Sequence, residues 1–229
     1  MTSVKVVLGK LKELARPEQL AGMARFGMTT NKRLGVRIPE LRKMAKETGK
    51  SHELALELWE TGIDEARILA AMVAEPDKLT EQQMEHWVKG FNSWDVCDQV
   101  CMNLFEKTAF ARQKIHEWSQ REEEYVKRAA FALIACLAWH DKKAADEEFV
   151  DLLPTIKTGA TDERNFVKKA VNWALRNIGK RNPLLNKTAL EIAYEIKGID
   201  SKSARWIAAD AIRELESDAV QKRLLRKKA

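Results

Sequence analysis

Apolar side chains recur at intervals of three and four residues along almost the whole chain, a spacing that places them on one face of an α-helix. Residues 123–139 show this most clearly, with candidates for burial at Val126, Ala129, Ala130, Leu133, Ile134 and Leu137. No convincing run alternates apolar and polar residues, as a half-exposed β-strand would. Ala, Leu, Lys and Glu, which cost least in a helix, are the common residues. The pattern therefore predicts an all-α fold.

Glycine, proline and capping residues divide the chain into helices of roughly ten to eighteen residues. Gly49 and Gly62 stand where a glycine would end a helix, and Ser51 stands where a hydroxyl would cap the next one. Thr80 and Gln83 have the spacing of a capping box, in which each side chain binds the other residue's backbone N–H. These signals predict many short helices joined by tight loops.

A weak repeat links the second helix of each predicted helix pair, because a basic residue followed by small and apolar residues returns at steps of roughly 30 to 45 residues. The repeated segments are 66–73, 127–134, 168–175 and 204–212. Repeated helix pairs of this length predict an α-solenoid of HEAT or armadillo type, whose second helices line a concave face. We expect one domain over 1–229, with a basic tail at 221–229 that frays.

Composition adds limits on where the protein works. Apolar residues make up 45% and charged residues 32% of the chain, which is the composition of a folded, soluble protein. The longest apolar run, 131–139, is too short to span a bilayer. The N-terminus lacks the features of a signal peptide, and three cysteines are too few for a disulfide framework. We expect a cytoplasmic monomer with reduced cysteines and no membrane association.

Charge is distributed unevenly around a net value of +6, which hints at a polyanionic partner. Residues 47–85 hold ten acids and three bases, whereas 164–187 hold seven bases and no acid. A solvated helix face is the ordinary explanation of one such run. The acid-free segment, however, sets Trp173 among basic side chains, a mixture that nucleic-acid surfaces use. The candidates for phosphate binding there are Lys168, Lys169, Arg176, Lys180 and Arg181.

The segment NSWDVCDQVC, residues 92–101, contains two pairs at helical spacing. Cys97 and Cys101 could bind a metal, but no histidine lies nearby to complete a zinc site, so we interpret them as packing residues. Trp94 and Asp98 would share a helix face, either as core residues or as an indole and a carboxylate aimed at a cationic group.

Arg128 interrupts an otherwise apolar helix. A buried guanidinium must be paired, so Arg128 either forms an ion pair with Asp95 or Asp98 or binds a phosphate. Trp173 has the same two interpretations, as a core residue or as part of a nucleic-acid surface. No glycine-rich phosphate loop, nucleophile elbow or metalloprotease motif occurs in the chain.

Taken together and in order, these segments resemble the AlkD-like alkylpurine DNA glycosylases. SWDVCD is similar to the W-D-x-x-D segment of that family, KRAAFAL to its R-[AT]-A segment, and FVKKAVNWALRNIGKRNP to its long basic helix. MARFGM followed by LGVRIPELRKMAK is similar to its N-terminal entry, with Phe26 where the family has an active-site tyrosine. The resemblance covers nearly the whole chain.

The resemblance implies HEAT-like repeats with a concave basic face that grips duplex DNA. It implies release of N3- and N7-alkylated purines, such as 3-methyladenine and 7-methylguanine, in base excision repair without a cofactor or metal. The catalytic set that it carries over is Asp98, Trp94, Trp173 and Arg128. The DNA-binding set is Phe26, Arg128, Arg164, Lys168, Lys169, Arg176, Lys180 and Arg181.

Two alternatives remain from the residues alone. A helical-repeat scaffold that binds DNA without catalysis would use the same bases and tryptophans, and the missing hydroxyl at Phe26 favours it. A protein-binding adaptor could instead use the acidic stretch 47–85 as its interface. Asp98 separates the alternatives, because a pure DNA binder gains nothing from a carboxylate that faces phosphates.

Overall fold

The computed structural model describes residues 3–226, and every regular element in this range is helical, with no β-strand. The predicted all-α fold is confirmed. The chain divides into two compact units, residues 1–111 and 112–229. Whether they act as the single domain expected over 1–229 stays a prediction. No helix between Ser3 and Arg226 has both the length and the apolar character that a bilayer-spanning segment needs.

The first unit contains seven α-helices within its described residues, joined by short loops and turns of 3₁₀-helix. They are α1 (Val4–Glu13), α2 (Leu20–Arg25), α3 (Ile38–Thr48), α4 (His52–Glu60), α5 (Asp64–Val73), α6 (Glu81–Lys89) and α7 (Trp94–Asn103).

The ends of these helices follow the capping signals of the sequence. The Ser51 hydroxyl accepts the backbone N–H of Leu54, and Thr80 and Gln83 form the reciprocal capping box. Gly49 and Gly62 follow α3 and α4 with φ angles of 76° and 68°, in the left-handed region that glycine adopts without steric cost. The predicted boundaries at these positions are confirmed.

Helix α5 is the centre of the first unit and packs against α3, α4 and α7. An aromatic stack lies beside it, in which the rings of Trp59 and Trp87 are parallel and 4.4 Å apart. The guanidinium of Arg67 lies 4.7 Å from the Trp59 ring and donates a 2.8 Å hydrogen bond to the carbonyl of Gly90. The half-buried cation thus joins α5 to the end of α6.

The second unit comprises α8 (Ala111–Ser119), α9 (Glu124–His140), α10 (Asp146–Val150), α11 (Leu153–Gly159), α12 (Asn165–Gly179), α13 (Pro183–Lys197), α14 (Lys202–Leu215) and α15 (Asp218–Arg226). The segment 146–156 contains α10 and the start of α11, with Pro154 in the first turn of α11, where a missing N–H costs nothing. The basic tail is helical through Arg226 and buries Leu224, whereas 227–229 lie outside the described residues.

Helix α9 packs along α12, and α12 packs on α13 and α14. Polar side chains bridge these helices at a nearly constant sequence separation. Asn172 binds Asp210, 38 residues away, Asn177 binds the carbonyl of Ala135, 42 residues away, and Lys157 binds Glu195, 38 residues away. These separations match the step of the sequence repeat, as stacked helix pairs require.

Gly159 marks the closest approach of α11 to α9, because a Cβ atom there would overlap the ring of the fully buried Phe131. We expect Gly159→Ala to lower the free energy of unfolding by about 1–3 kcal/mol, since a packed core resists added volume. Gly9→Ala, where nothing lies within 4 Å, is the control and should be neutral or stabilising. Urea unfolding followed by circular dichroism measures both, and equal effects would contradict this view of the contact.

Candidate functional site

In the first unit, three of the predicted residues lie at one place. Trp94 is the first residue of α7 and Asp98 lies one turn later, both half-buried. The indole Nε1 of Trp94 donates a 3.0 Å hydrogen bond to the carbonyl of Phe26, whose ring is 73% exposed. This bond ties the start of α7 to the end of α2, so Trp94 and Phe26 are neighbours in the first unit.

A buried guanidinium binds the loop that follows Phe26. The side chain of Arg33 is only 2% exposed and forms ion pairs with Asp64, at 2.9 Å, and with Asp95, at 2.7 Å. Its Nε also donates to the carbonyl of Thr29. Arg33 therefore joins the loop to α5 and to the first turn of α7, directly beneath Trp94.

The electrostatics of this cluster keep it charged. Burial alone would lower the pKa of Arg33, but the hydrogen bond and charge of Asp95, with the charge of Asp64, raise it above its ordinary value. Burial raises the pKa of Asp64, although the facing guanidinium opposes that shift. Asp95 is bound by Arg33, and the expected pairing of Arg128 with Asp95 or Asp98 stays a prediction.

Two acidic residues of the stretch 47–85 bind this loop. Asp64 binds Arg33, and the Glu65 carboxylate accepts the backbone N–H groups of Leu34 and Gly35 at 2.9 and 2.7 Å. Both acids are almost completely buried. These two buried acids of the stretch therefore anchor the scaffold, which weakens the interpretation of the stretch as a protein-binding face.

Cys97 and Cys101 are fully buried on α7 and are not joined in a disulfide. Their interpretation as packing residues is confirmed. Within residues 3–226, no cluster of three or more His, Cys, Asp or Glu side chains is placed to hold a metal ion.

In the second unit, Arg128 lies on α9 and is only 5% exposed. Its Nη1 donates a 2.5 Å hydrogen bond to the carbonyl of Phe166 on α12. Little of the guanidinium is thus available to a ligand in this conformation, and its contact with a phosphate stays a prediction. What the structure adds is that Arg128 joins the two most closely packed helices of the unit.

Most of the predicted basic patch on α12 is engaged by other parts of the unit. Arg176 and Lys180 both bind Glu214 on α14. Burial alone would raise the pKa of Glu214, but Lys180 and Arg176 hold it below its ordinary value, so the acid stays ionised and neutralises its neighbours. Arg164 is likewise paired with Asp162.

Arg181 has a structural role that the sequence did not reveal. Its guanidinium donates to the carbonyls of Ala138 and Asp141, at 2.9 and 2.8 Å, and lies 4.1 Å from the ring of Phe149. Burial lowers its pKa. Arg181 thus joins the end of α9 to the end of α12, and its predicted contact with a phosphate stays a prediction.

Two lysines of the patch differ from the rest. The ammonium of Lys168 lies 5.2 Å from the ring of Trp206 and is attracted by the carboxylate of Glu163, with which it forms no ion pair within the described residues. Lys169 is exposed and, within the described part of the chain, has no ion pair or hydrogen-bond partner. The acid-free segment thus presents much less net charge than its sequence indicates.

Trp173 is half-buried and lines an open cleft of about 450 Å³ on the second unit. The other lining residues are Ala138, Trp139, Lys142, Asn177, Lys180, Arg181 and Arg223. Sequence analysis identified Trp173 but missed Trp139, Lys142 and Arg223, which are far apart along the chain. The sequence signal for Trp139 was weak: polar residues follow it in AWHDKK, which is typical of the end of a helix.

Comparisons with known proteins agree with this architecture. Residues 7–215 match the family model described as DNA alkylation repair enzyme. The uncharacterized protein Lin0241 of Listeria innocua is 24% identical over 165 residues, which are 71% of each chain.

A solved structure is also similar, with a TM-score of 0.76 and 21% identity over 93% of this chain and 95% of that chain. It is described as a new family of proteins related to the HEAT-like repeat DNA glycosylases with affinity for branched DNA structures. At this identity the likeness shows the fold, which is of the HEAT-like repeat type.

The Arg33 cluster gives a direct test of the scaffold beneath Trp94. We expect Arg33→Met to lower the free energy of unfolding by about 3–5 kcal/mol, because the buried Asp64 and the half-buried Asp95 both lose their partner. Arg112 also binds two carboxylates, but its side chain is 52% exposed, so Arg112→Met should cost at most about 1 kcal/mol. Denaturant titrations of both variants measure the free energy of unfolding. A similar loss of stability in the two variants would show that burial of the ion pairs does not decide their contribution.

Proposed function

The chain belongs to the DNA alkylation repair enzyme family, and on this premise we propose that it is a DNA glycosylase. The proposed reaction is hydrolysis of the N-glycosidic bond of cationic N3- and N7-alkylated purines in duplex DNA. The observation that supports it most is the half-buried pair of Trp94 and Asp98 on adjacent turns of α7, beside the exposed ring of Phe26.

Alkylation at N3 or N7 gives the purine a positive charge, so the base leaves without protonation. As the C1′–N bond breaks, its electron pair neutralises the purine, and positive charge develops on the deoxyribose. The Asp98 carboxylate is suited to stabilise that oxocarbenium-like sugar, as carboxylates do in sugar hydrolysis generally. Water then attacks C1′, its oxygen remains on the sugar, and its proton passes to the carboxylate or to solvent.

The aromatic side chains are proposed to hold the cationic nucleotide. An indole face attracts a cation, and the hydrogen bond from Trp94 to the carbonyl of Phe26 limits the orientations of that ring. Trp173 is proposed to contact the sugar and backbone from α12. Arg128 is proposed to orient a phosphate near the lesion, and Lys168 and Lys169 to provide salt-sensitive contacts along the backbone.

A second candidate is DNA binding without catalysis. Two observations favour it: the hydroxyl of the tyrosine in AlkD-like enzymes is absent at Phe26, and the structurally similar protein is described as having affinity for branched DNA. Such a protein would hold DNA through the same bases and tryptophans. Asp98 distinguishes the candidates, since a carboxylate opposes phosphate binding and is useful only where positive charge develops.

We expect Asp98→Asn to lower the single-turnover rate of 7-methylguanine release by about 100-fold or more, because the amide cannot stabilise the sugar cation. Binding to the same duplex should be unchanged or tighter, since one negative charge is lost. Asp77→Asn, the same change at an exposed position of the first unit, is the control and should release base at the wild-type rate. Undiminished release by Asp98→Asn would remove this residue from the mechanism.

The exposed Lys169 of the basic patch allows a separate test. We expect Lys169→Ala to reduce the slope of log K against log salt by about one unit, as loss of one phosphate contact does. Lys187→Ala removes a similarly exposed lysine from α13 and should leave the slope unchanged. Fluorescence anisotropy with a short duplex over a salt series measures both. A slope that Lys169→Ala does not alter would show that this lysine is solvated surface.

A further inference from the structure

The cleft beside Trp173 combines two aromatic side chains with bases from the segments that follow α9 and α12 and from α15. Trp139 lies in the last turn of α9 and is 53% exposed, which is unusual for so large an apolar ring. At about 450 Å³, the cleft falls within the range of roughly 300–1,000 Å³ that small-ligand sites occupy. It therefore has the size to hold one nucleotide, and lies entirely within the second unit.

The charge of the cleft favours an anion. Its described lining residues include Lys142, Lys180, Arg181 and Arg223 but no Asp or Glu. Glu214 neutralises Lys180, whereas Lys142 and Arg223 donate only to carbonyl groups, those of Trp139 and Lys180. A carbonyl carries no net charge, so Lys142 and Arg223 keep their full positive charge at the cleft.

A second ring covers part of the Trp139 side chain. The Trp139 ring is stacked on the ring of His140, with centroids 4.6 Å apart, and the carbonyl of Trp139 accepts a hydrogen bond from Lys142. An indole held beside two cations provides what single-stranded nucleic acid requires, a face for the base and charge for the phosphate. Bases inside a duplex stack on each other and offer only their edges to a protein.

We propose that this cleft binds an unpaired nucleotide of a DNA strand, with the base against Trp139 and the phosphate between Lys142 and Arg223. The inference rests on the proposed function, because it assumes that the protein already holds DNA through other contacts. It adds a preference that the glycosylase proposal does not contain. DNA with a single-stranded segment next to a duplex should bind more tightly than the duplex alone.

The test compares two fluorescent probes, a blunt duplex and the same duplex with a short single-stranded overhang, using the full chain in anisotropy titrations. Wild type should bind the overhang probe about tenfold more tightly or better, which is the size of one base–aromatic stack. Trp139→Ala should abolish the difference and leave blunt-duplex affinity unchanged, and Trp139→Phe should restore part of it.

Tyr194→Ala is the matched control, since Tyr194 is 50% exposed on α13 and does not line the cleft. It should keep the full preference. Lys142→Ala should weaken overhang binding more than Lys143→Ala, which removes the same charge outside the cleft. Equal wild-type affinity for both probes, or a preference that survives Trp139→Ala, would overturn the inference.

Two further measurements separate this inference from other outcomes. The first is competition by free deoxyadenosine monophosphate. If the free nucleotide binds as tightly as the overhang probe, the occupant of the cleft is a free nucleotide, and the assignment to a DNA strand is overturned. Release of 7-methylguanine from intact duplex, measured on the same preparations, reports the proposed function independently. If the wild-type protein releases 7-methylguanine but shows no preference for the overhang probe, only the cleft assignment is contradicted. If it prefers the overhang probe but releases no base, only the glycosylase proposal is contradicted.

Discussion

The second unit depends on hydrogen-bond partners for the N–H groups that are buried between its helices. Helix α9 is buried along most of its length, and the polar groups that face it must find partners inside the protein. Arg128 meets the requirement through the carbonyl of Phe166, Asn177 through that of Ala135, and Arg181 through those of Ala138 and Asp141. Because each bond joins residues about one repeat apart, the polar contacts set the register in which α9 and α12 stack.

The same constraint decides which charges remain for a ligand. The basic helix α12 lacks acids in its own sequence, but α14 brings Glu214 to Arg176 and Lys180, and Arg181 faces main-chain carbonyls. Ion pairs of this kind cancel charge locally, so counting bases along the helix overstates its attraction for phosphate. Lys169, and Lys142 beside the cleft, contribute charge that is not cancelled in this way.

Periodicity and capping chemistry made the helices predictable, because both act over a few neighbouring residues. Ser51, Thr80 and the left-handed Gly62 are where the sequence placed them, and the repeat step agrees with the contacts between α12 and its neighbours. The partners of Arg33 and Glu214 were not predictable, since each lies about 30 or more residues away and depends on how helices pack. The pairing of Trp94 with Asp98 was visible in the sequence for the opposite reason, as both lie on adjacent turns of one helix.

In the proposed reaction a carboxylate and aromatic rings act on a base that already carries positive charge. Base release by wild-type protein from two matched duplexes, one with 7-methylguanine and one with hypoxanthine, an uncharged damaged purine, tests this dependence on charge. We expect free 7-methylguanine and an abasic site in the first duplex, with no release from the second. Tight binding to the methylated duplex without release of any base would contradict it and leave a DNA-binding protein without glycosylase activity.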